Sequence, residues 1–180
     1  MCRLAQAIEL YILAQDQNRP HLLTQAFAED ATVEIAIATP DISFPPRLSG
    51  RDAIAETLIR HFGCTYENVY TFCLAAPPEA DRTDFVCRWL VGMSEKESGA
   101  LRIGSGRYSW FLAKHRVTAL TIEIESMERL VAPSLDPVMA WLSSLPSPWC
   151  PPDIALRTAP PIAELAAALE TLKADDEGLH

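Results

Sequence analysis

Residues 27–62, FAEDATVEIAIATPDISFPPRLSGRDAIAETLIRHF, run from the end of one helix to the end of another with a strand between them. Val33, Ile35 and Ile37 alternate with Thr32 and Glu34, the period of a strand buried on one face. Pro40, Pro45 and Pro46 make the following stretch a loop. Ser49 or Gly50 then starts a helix that buries Ile54, Leu58 and Phe62 and stops at Gly63. Upstream, Leu4, Ile8, Tyr11 and Ile12 recur at helical spacing and predict an amphipathic helix over 3–16. Asn18 is placed to cap a second helix, with Pro20 in its first turn, running through Leu22, Leu23 and Phe27 and ending at Asp30.

After Gly63 the hydrophobic period changes to two. Residues 65–76, 83–94, 101–113 and 116–130 each read as a strand, with turns at Pro77-Pro78, 95–99 and Lys114-His115. Helices first and a meander afterwards predict an α+β domain, one curved antiparallel sheet folded over three N-terminal helices. Residues 136–145 predict a short helix. The segment 146–161 holds six prolines and reads as irregular. Ile162, Leu165, Leu169 and Leu172 then line one face of a final helix, and the closing ADDEGLH reads as a frayed end. The expected division is a domain over 1–132 and a C-terminal helical, Pro-rich extension over 133–180. That extension is either an arm packed on its own domain or a partner subunit, or a disordered linker.

A length of 180 residues with 49% hydrophobic side chains is enough for one well-filled core. The net charge of −9 argues against nucleic acid, which calls for a basic stripe, and against anionic lipid. The five cysteines form no C-x-x-C pair, and three lie in apolar strand-like runs, so a reducing compartment, the cytoplasm of a microbe, fits them. The N-terminus lacks a signal-peptide pattern, and no window has the roughly 18 apolar residues of a membrane span. The histidines are scattered without metal-ligand spacing, and GSGR at 104–107 lies mid-strand with no helix after it. No metal and no cofactor are expected.

Tyr11, FAEDATVE at 27–34, LSGRDAIAETL at 48–58 and GRYSWFL at 106–112 occur in an order that resembles the nuclear-transport-factor-2-like superfamily. That superfamily contains the SnoaL-like polyketide cyclases, ketosteroid isomerase and scytalone dehydratase. The resemblance covers about residues 3–130. It implies a cone enclosing an apolar pocket and a dimer formed through the outer face of the sheet. Aligned on FAEDATVE, Tyr11 falls where the isomerase keeps its oxyanion-hole tyrosine, while the isomerase's general base falls on Ile35. Isoleucine takes no proton, so the isomerase route is excluded.

The resemblance makes Tyr11, His61 and Glu34 the candidate catalytic residues, with Ile35, Trp89, Arg107, Ser109 and Ile122 as the expected ligand-binding wall. Each has a plainer reading. Tyr11 is either a ligand donor or a core tyrosine with its hydroxyl at the rim. Glu34 faces the pocket only if its strand bulges, and is otherwise a solvated strand glutamate. His61 is a base at the cone mouth or a surface histidine at a helix C-terminus. Arg107, next to Gly104 and Gly106, points inward with a carboxylate partner or outward between strands. Parity within the strands puts Phe85, Cys87, Trp89, Val91, Leu120, Ile122 and Ile124 on a packed face. It assigns Tyr108 and Trp110 to a charged outer face with Arg88, Arg102, Glu123 and Glu125, the expected homodimer surface. Two functions follow: a SnoaL-like cofactor-free cyclase, dehydratase or isomerase acting on a small apolar or polyketide-like molecule, and a non-catalytic ligand-binding or dimerisation module of the same fold. The Pro-rich arm also allows an assembly partner.

Overall fold

The computed structural model describes residues 2–131 and 134–173. The expected fraying of residues 174–180 lies outside them. Helix α1 (Arg3–Asp16) is followed by a 3₁₀ turn (Pro20–Leu22), a single helical turn α2 (Leu23–Ala26) and strand β1 (Phe27–Ile37). The expected second helix is therefore shorter than its pattern: Phe27 is already extended, and Asn18 takes a positive φ of 50° in the turn after α1. Strand β2 (Arg47–Ser49) leads into a helical run made of α3 (Arg51–Ile54), a π-helical stretch (Ala55–His61) and α4 (Phe62–Thr65). Strands β3 (Tyr66–Cys73), β4 (Asp84–Glu95), β5 (Leu101–Ala113) and β6 (Arg116–Leu130) complete the sheet.

The sheet order is β2-β1-β6-β5-β4-β3. β1 joins β6 in parallel and the remaining neighbours are antiparallel, so the meander is antiparallel and the sheet as a whole is mixed. Irregularities of register in β1, β3 and β5–β6 bend it into an open, curved α+β cone. Its inner face packs on α1, whose Leu4, Ile8, Tyr11 and Ile12 are buried as the helical spacing requires.

Strand parity explains one departure from expectation. Tyr108 pairs with Cys87 and Trp110 with Phe85, so both aromatic residues face inward and are buried, not on a charged outer surface. Arg107 and Ser109 take the alternate positions, opposite Arg88 and Val86, on the outer face.

That outer face is covered over much of its width. Helices α5 (Leu135–Ser144), α6 (Pro152–Thr158) and α7 (Ala163–Lys173) form a second apolar cluster with Phe72, Leu74, Leu90, Leu101, Ile103 and Leu130. Helix α6 lies inside the segment read as irregular, because Pro152 sits at its first position, where no backbone N–H is needed. The expected homodimer face thus carries the chain's own arm across this cluster, with Val86 and Phe111 still exposed beside it. The cysteines are free thiols, buried except for Cys64.

Candidate functional site

Inside the cone, Tyr11 on α1, Ile35 on β1, Trp89 on β4, Tyr108 on β5 and Ile122 on β6 line one cavity. Leu58 and Phe62 from the helical run, and Ile42 and Phe44 from the loop after β1, close the remaining side. About 460 Å³ of space lies between these atoms, part of it open to solvent, and about 50 Å³ of it can hold the centres of water-sized molecules. That exceeds the room needed for one water, roughly 10–15 Å³ by the same measure.

An aromatic cluster builds the inner wall. The Tyr11 ring meets Trp110 edge-on at 5.4 Å and Tyr108 at 6.3 Å, while Trp89 stacks on Tyr108 at 5.6 Å. Glycine makes this approach possible at Gly106. A Cβ there would lie 1.8 Å from the Glu123 carbonyl oxygen and 2.8 Å from the Trp89 ring, at the point where the β5–β6 register shifts.

The polar groups of the wall, from Tyr11, Gln15, Thr71, Trp89 and Tyr108, can all donate a hydrogen bond. Tyr11 is fully buried, and its hydroxyl has no hydrogen-bond partner among the described residues; the same holds for Trp89 Nε1 and, behind Tyr11, Trp110 Nε1. Burial holds the Tyr11 phenol well above its usual pKa, the Asp16 charge adds to this, and a hydrogen-bonding approach of the Gln15 side chain, too poor in geometry to count as a formed bond, acts in the opposite direction. Burial, reinforced by Tyr11, raises Tyr108 likewise. Neither tyrosine ionises at neutral pH, so both remain hydrogen-bond donors. Among the described residues, no carboxylate, imidazole, lysine or arginine lines the cavity, and no group of three or more His, Cys, Asp or Glu stands ready to hold a metal.

One acid lies just behind the wall. Asp16 accepts the Thr71 backbone N–H at 2.9 Å and the Thr71 hydroxyl at 2.7 Å, and Thr71 itself lines the cavity. Burial lifts its carboxyl to about 7, against the lowering effect of those two bonds. Sequence reasoning passed over this residue. Leu4, Ile8, Ile12 and Asp16 succeed one another at spacing four, which places an acid on the apolar stripe of α1, at the helix end where the dipole disfavours it.

The other expected site residues lie elsewhere. Glu34 is exposed and pairs with Arg47 at 3.0 Å, because it alternates with the inward Val33 and Ile35. His61 is exposed and lines an outer groove with Thr57 and Glu56. Arg107 and Ser109 sit on the outer face, Arg107 in register with Glu123. At the rim, Arg102 donates to Glu95 at 2.8 Å and to the Asp41 carbonyl at 3.3 Å. The Ser98 hydroxyl, followed by Arg102 and Arg129, holds the Glu95 carboxyl down at about 2.

No family model matches the chain, and no curated protein matches it by sequence. Solved structures do. A computationally designed 17-OHP binder aligns with a TM-score of 0.59 at 12% identity, over 72% of this chain and 100% of that one. A protein of ketosteroid isomerase-like fold from Catenulispora acidiphila, in complex with trimethylamine, aligns with a TM-score of 0.52 at 16% identity, over 65% and 83% of the two chains. A nuclear transport factor 2-like superfamily protein from Salmonella enterica aligns with a TM-score of 0.50 at 17% identity, over 73% and 92%. The chain has the nuclear transport factor 2-like fold.

Proposed function

We propose that this chain binds a small, mainly apolar molecule inside the cone, oriented by a hydrogen-bond acceptor on the ligand. The observation that carries this reading is the buried Tyr11 hydroxyl, with Trp89 Nε1 on the same cavity wall, both without a partner among the described residues. A buried donor left unpaired costs about 1–3 kcal/mol, and a ligand carbonyl or ether oxygen removes that cost. Two of the structural neighbours were solved or designed with small molecules, which fits the same use of the fold. The scarcity of ionisable groups on the wall favours binding without catalysis. The reading keeps a SnoaL-like domain over 1–132 with an extension after it, no cofactor, and a cytoplasmic setting. No helix among the described residues is long and apolar enough to cross a membrane.

A second reading rests on Asp16. A cofactor-free isomerase or lyase needs a donor on a carbonyl and a group that takes up and returns a proton near neutral pH. Tyr11 supplies the first, and Asp16, held near 7 but outside the cavity, supplies the second through the Thr71 hydroxyl, which takes up the ligand's proton as it passes its own to the carboxylate. Native mass spectrometry of the purified protein tests the main reading. A neutral small molecule is expected to co-elute with the wild type and to be depleted in Tyr11→Phe; equal occupancy of both proteins contradicts the role given to Tyr11. If that ligand is chemically changed by the wild type and not by Asp16→Asn, the second reading gains.

A further inference from the structure

The interior alone is too small for the molecules this architecture can enclose: about 50 Å³ by a measure in which drug-sized pockets run to roughly 300–1,000 Å³. A groove of about 530 Å³ lies immediately outside it, between the loop 38–46 and the π-helical stretch, walled by Ser43, Phe44, Pro45, Glu56, Thr57 and His61. Phe44 belongs to both walls. The π-helical stretch also serves both compartments, turning Leu58 toward the cavity and Glu56, Thr57 and His61 toward the groove.

We propose that the two compartments form one bipartite ligand site with Phe44 as a movable partition. The interior takes the apolar, acceptor-bearing end of an elongated neutral molecule, and the groove takes its uncharged polar end. This inference rests on the reading of the cone interior as a ligand site.

The loop is built to let Phe44 move. Its ends are pinned to the sheet, Ala38 N–H to the Ile124 carbonyl and Ile35 N–H to the Pro46 carbonyl, both at 2.9 Å. Its middle is held by the 3.3 Å contact from Arg102 to the Asp41 carbonyl, and the Thr39 hydroxyl donates to the Asp41 carboxylate within the loop. Pro40, Pro45 and Pro46 stiffen the flanks and Asp41 is tied, so the motion open to the partition lies in Ile42–Ser43 and in rotation of the Phe44 side chain. The groove chemistry defines the other end of the ligand. Ser43 and Thr57 offer hydroxyls and His61 an imidazole, while Glu56 is engaged by Arg60 at 3.5 Å. These groups suit a hydroxyl or amide, and a chain of net charge −9 disfavours an anionic tail.

Stopped-flow energy transfer from tryptophan to prodan, a neutral fluorophore bearing a ketone, tests the inference beside a prodan derivative carrying a hydroxyalkyl tail. The proteins are the wild type, Tyr11→Phe, Phe44→Ala, Phe44→Trp and Thr57→Val, each checked for a native melt. Phe44→Ala is expected to associate about tenfold faster than the wild type, and Phe44→Trp more slowly, because binding that waits on a conformational change has a depressed on-rate. The tailed probe is expected to bind several-fold more tightly than prodan in the wild type, about as expected for one added hydrogen bond, and to lose that advantage in Thr57→Val. If both probes bind and Tyr11→Phe weakens them, but Phe44 leaves the rates unchanged and the tail adds nothing, the bipartite site is overturned and the interior site stands. If neither probe binds the wild type or Phe44→Ala, both readings fall.

Discussion

Where α7 covers the outer face of the sheet, the Ser105 hydroxyl bonds Ser126 at 2.9 Å and Thr171 at 3.0 Å, and within the arm Trp141 Nε1 donates to Thr158. On its inner face the same sheet meets α1, and among the described residues the donors of Tyr11, Trp89 and Trp110 find no partner. Both faces are densely apolar, so burial alone does not separate them. Hydrogen-bond completeness does. The indole of Trp141 on the outer side is paired, while among the described residues the donors of Tyr11, Trp89 and Trp110 on the inner side are left for a bound molecule to complete.

The largest effect belongs to the outer face. A chain ending at residue 131 strips α5–α7 from Phe72, Leu74, Leu90, Leu101 and Ile103. At about 1.5–3 kcal/mol for each large apolar side chain, the loss is on the order of 10 kcal/mol, comparable to a whole domain's stability. Such a chain is expected to self-associate and to lose its cooperative melt, as read by light scattering and circular dichroism. A folded, monomeric 1–131 would make the arm an accessory.

The next prediction sets one glycine of each face against the other. Gly106→Ala drives a methyl into the Glu123 carbonyl, a backbone group that cannot yield without disturbing the β5–β6 pairing, and is expected to cost about 3 kcal/mol. Gly92→Ala meets Leu142 Cδ1 at 2.2 Å, the far end of a side chain that can turn aside, and is expected to cost about 1 kcal/mol. Denaturant melts that reverse this order would break the comparison.

Much of this arrangement was legible before the structure. Alternation at Val33, Ile35 and Ile37 and the helical spacing through Ile54, Leu58 and Phe62 mark β1 and the helix beside it, because short-range periodicity reports which face is buried. The facing of Tyr108 and Trp110 was not legible from the charges around them. Arg107 and Ser109 share their strand, and the pairing of β5 with β4 and β6, not composition, decides which parity turns inward. Asp16 escaped because a single acid at a helix end looks solvated, and the Thr71 N–H that donates to it comes from 55 residues away. The covering of the outer face was open in the sequence, since an amphipathic α7 does not say which surface it seeks.

The third prediction concerns pH. Asp16 titrates near 7 in the folded chain and near 3.8 when unfolded, so the folded state binds its proton more tightly. Its contribution is fully present below pH 3.8 and is lost as pH rises through 7. Glu95, lowered to about 2, acts in the opposite sense: its contribution is present above about pH 4.5 and is lost as pH falls toward 2. Asp16→Asn is expected to flatten the decline between pH 4 and 8, a change on the order of a few kcal/mol over that window, and to leave the acid limb in place. An unchanged slope in urea melts across this range would show that Asp16 does not control it.

The smallest effect carries the most meaning. Tyr11→Phe removes a buried hydroxyl without a partner among the described residues and keeps the ring against Trp110 and Tyr108. Thermal melts of ligand-free wild type and Tyr11→Phe therefore test the central claim directly. The account predicts that the variant is more stable by about 1 kcal/mol, a rise of a few degrees in Tm, because a group reserved for a ligand has been removed. A variant less stable than the wild type by that amount would show that the hydroxyl already has its partner inside the protein, and would contradict the reading of the cone as an unfilled binding site.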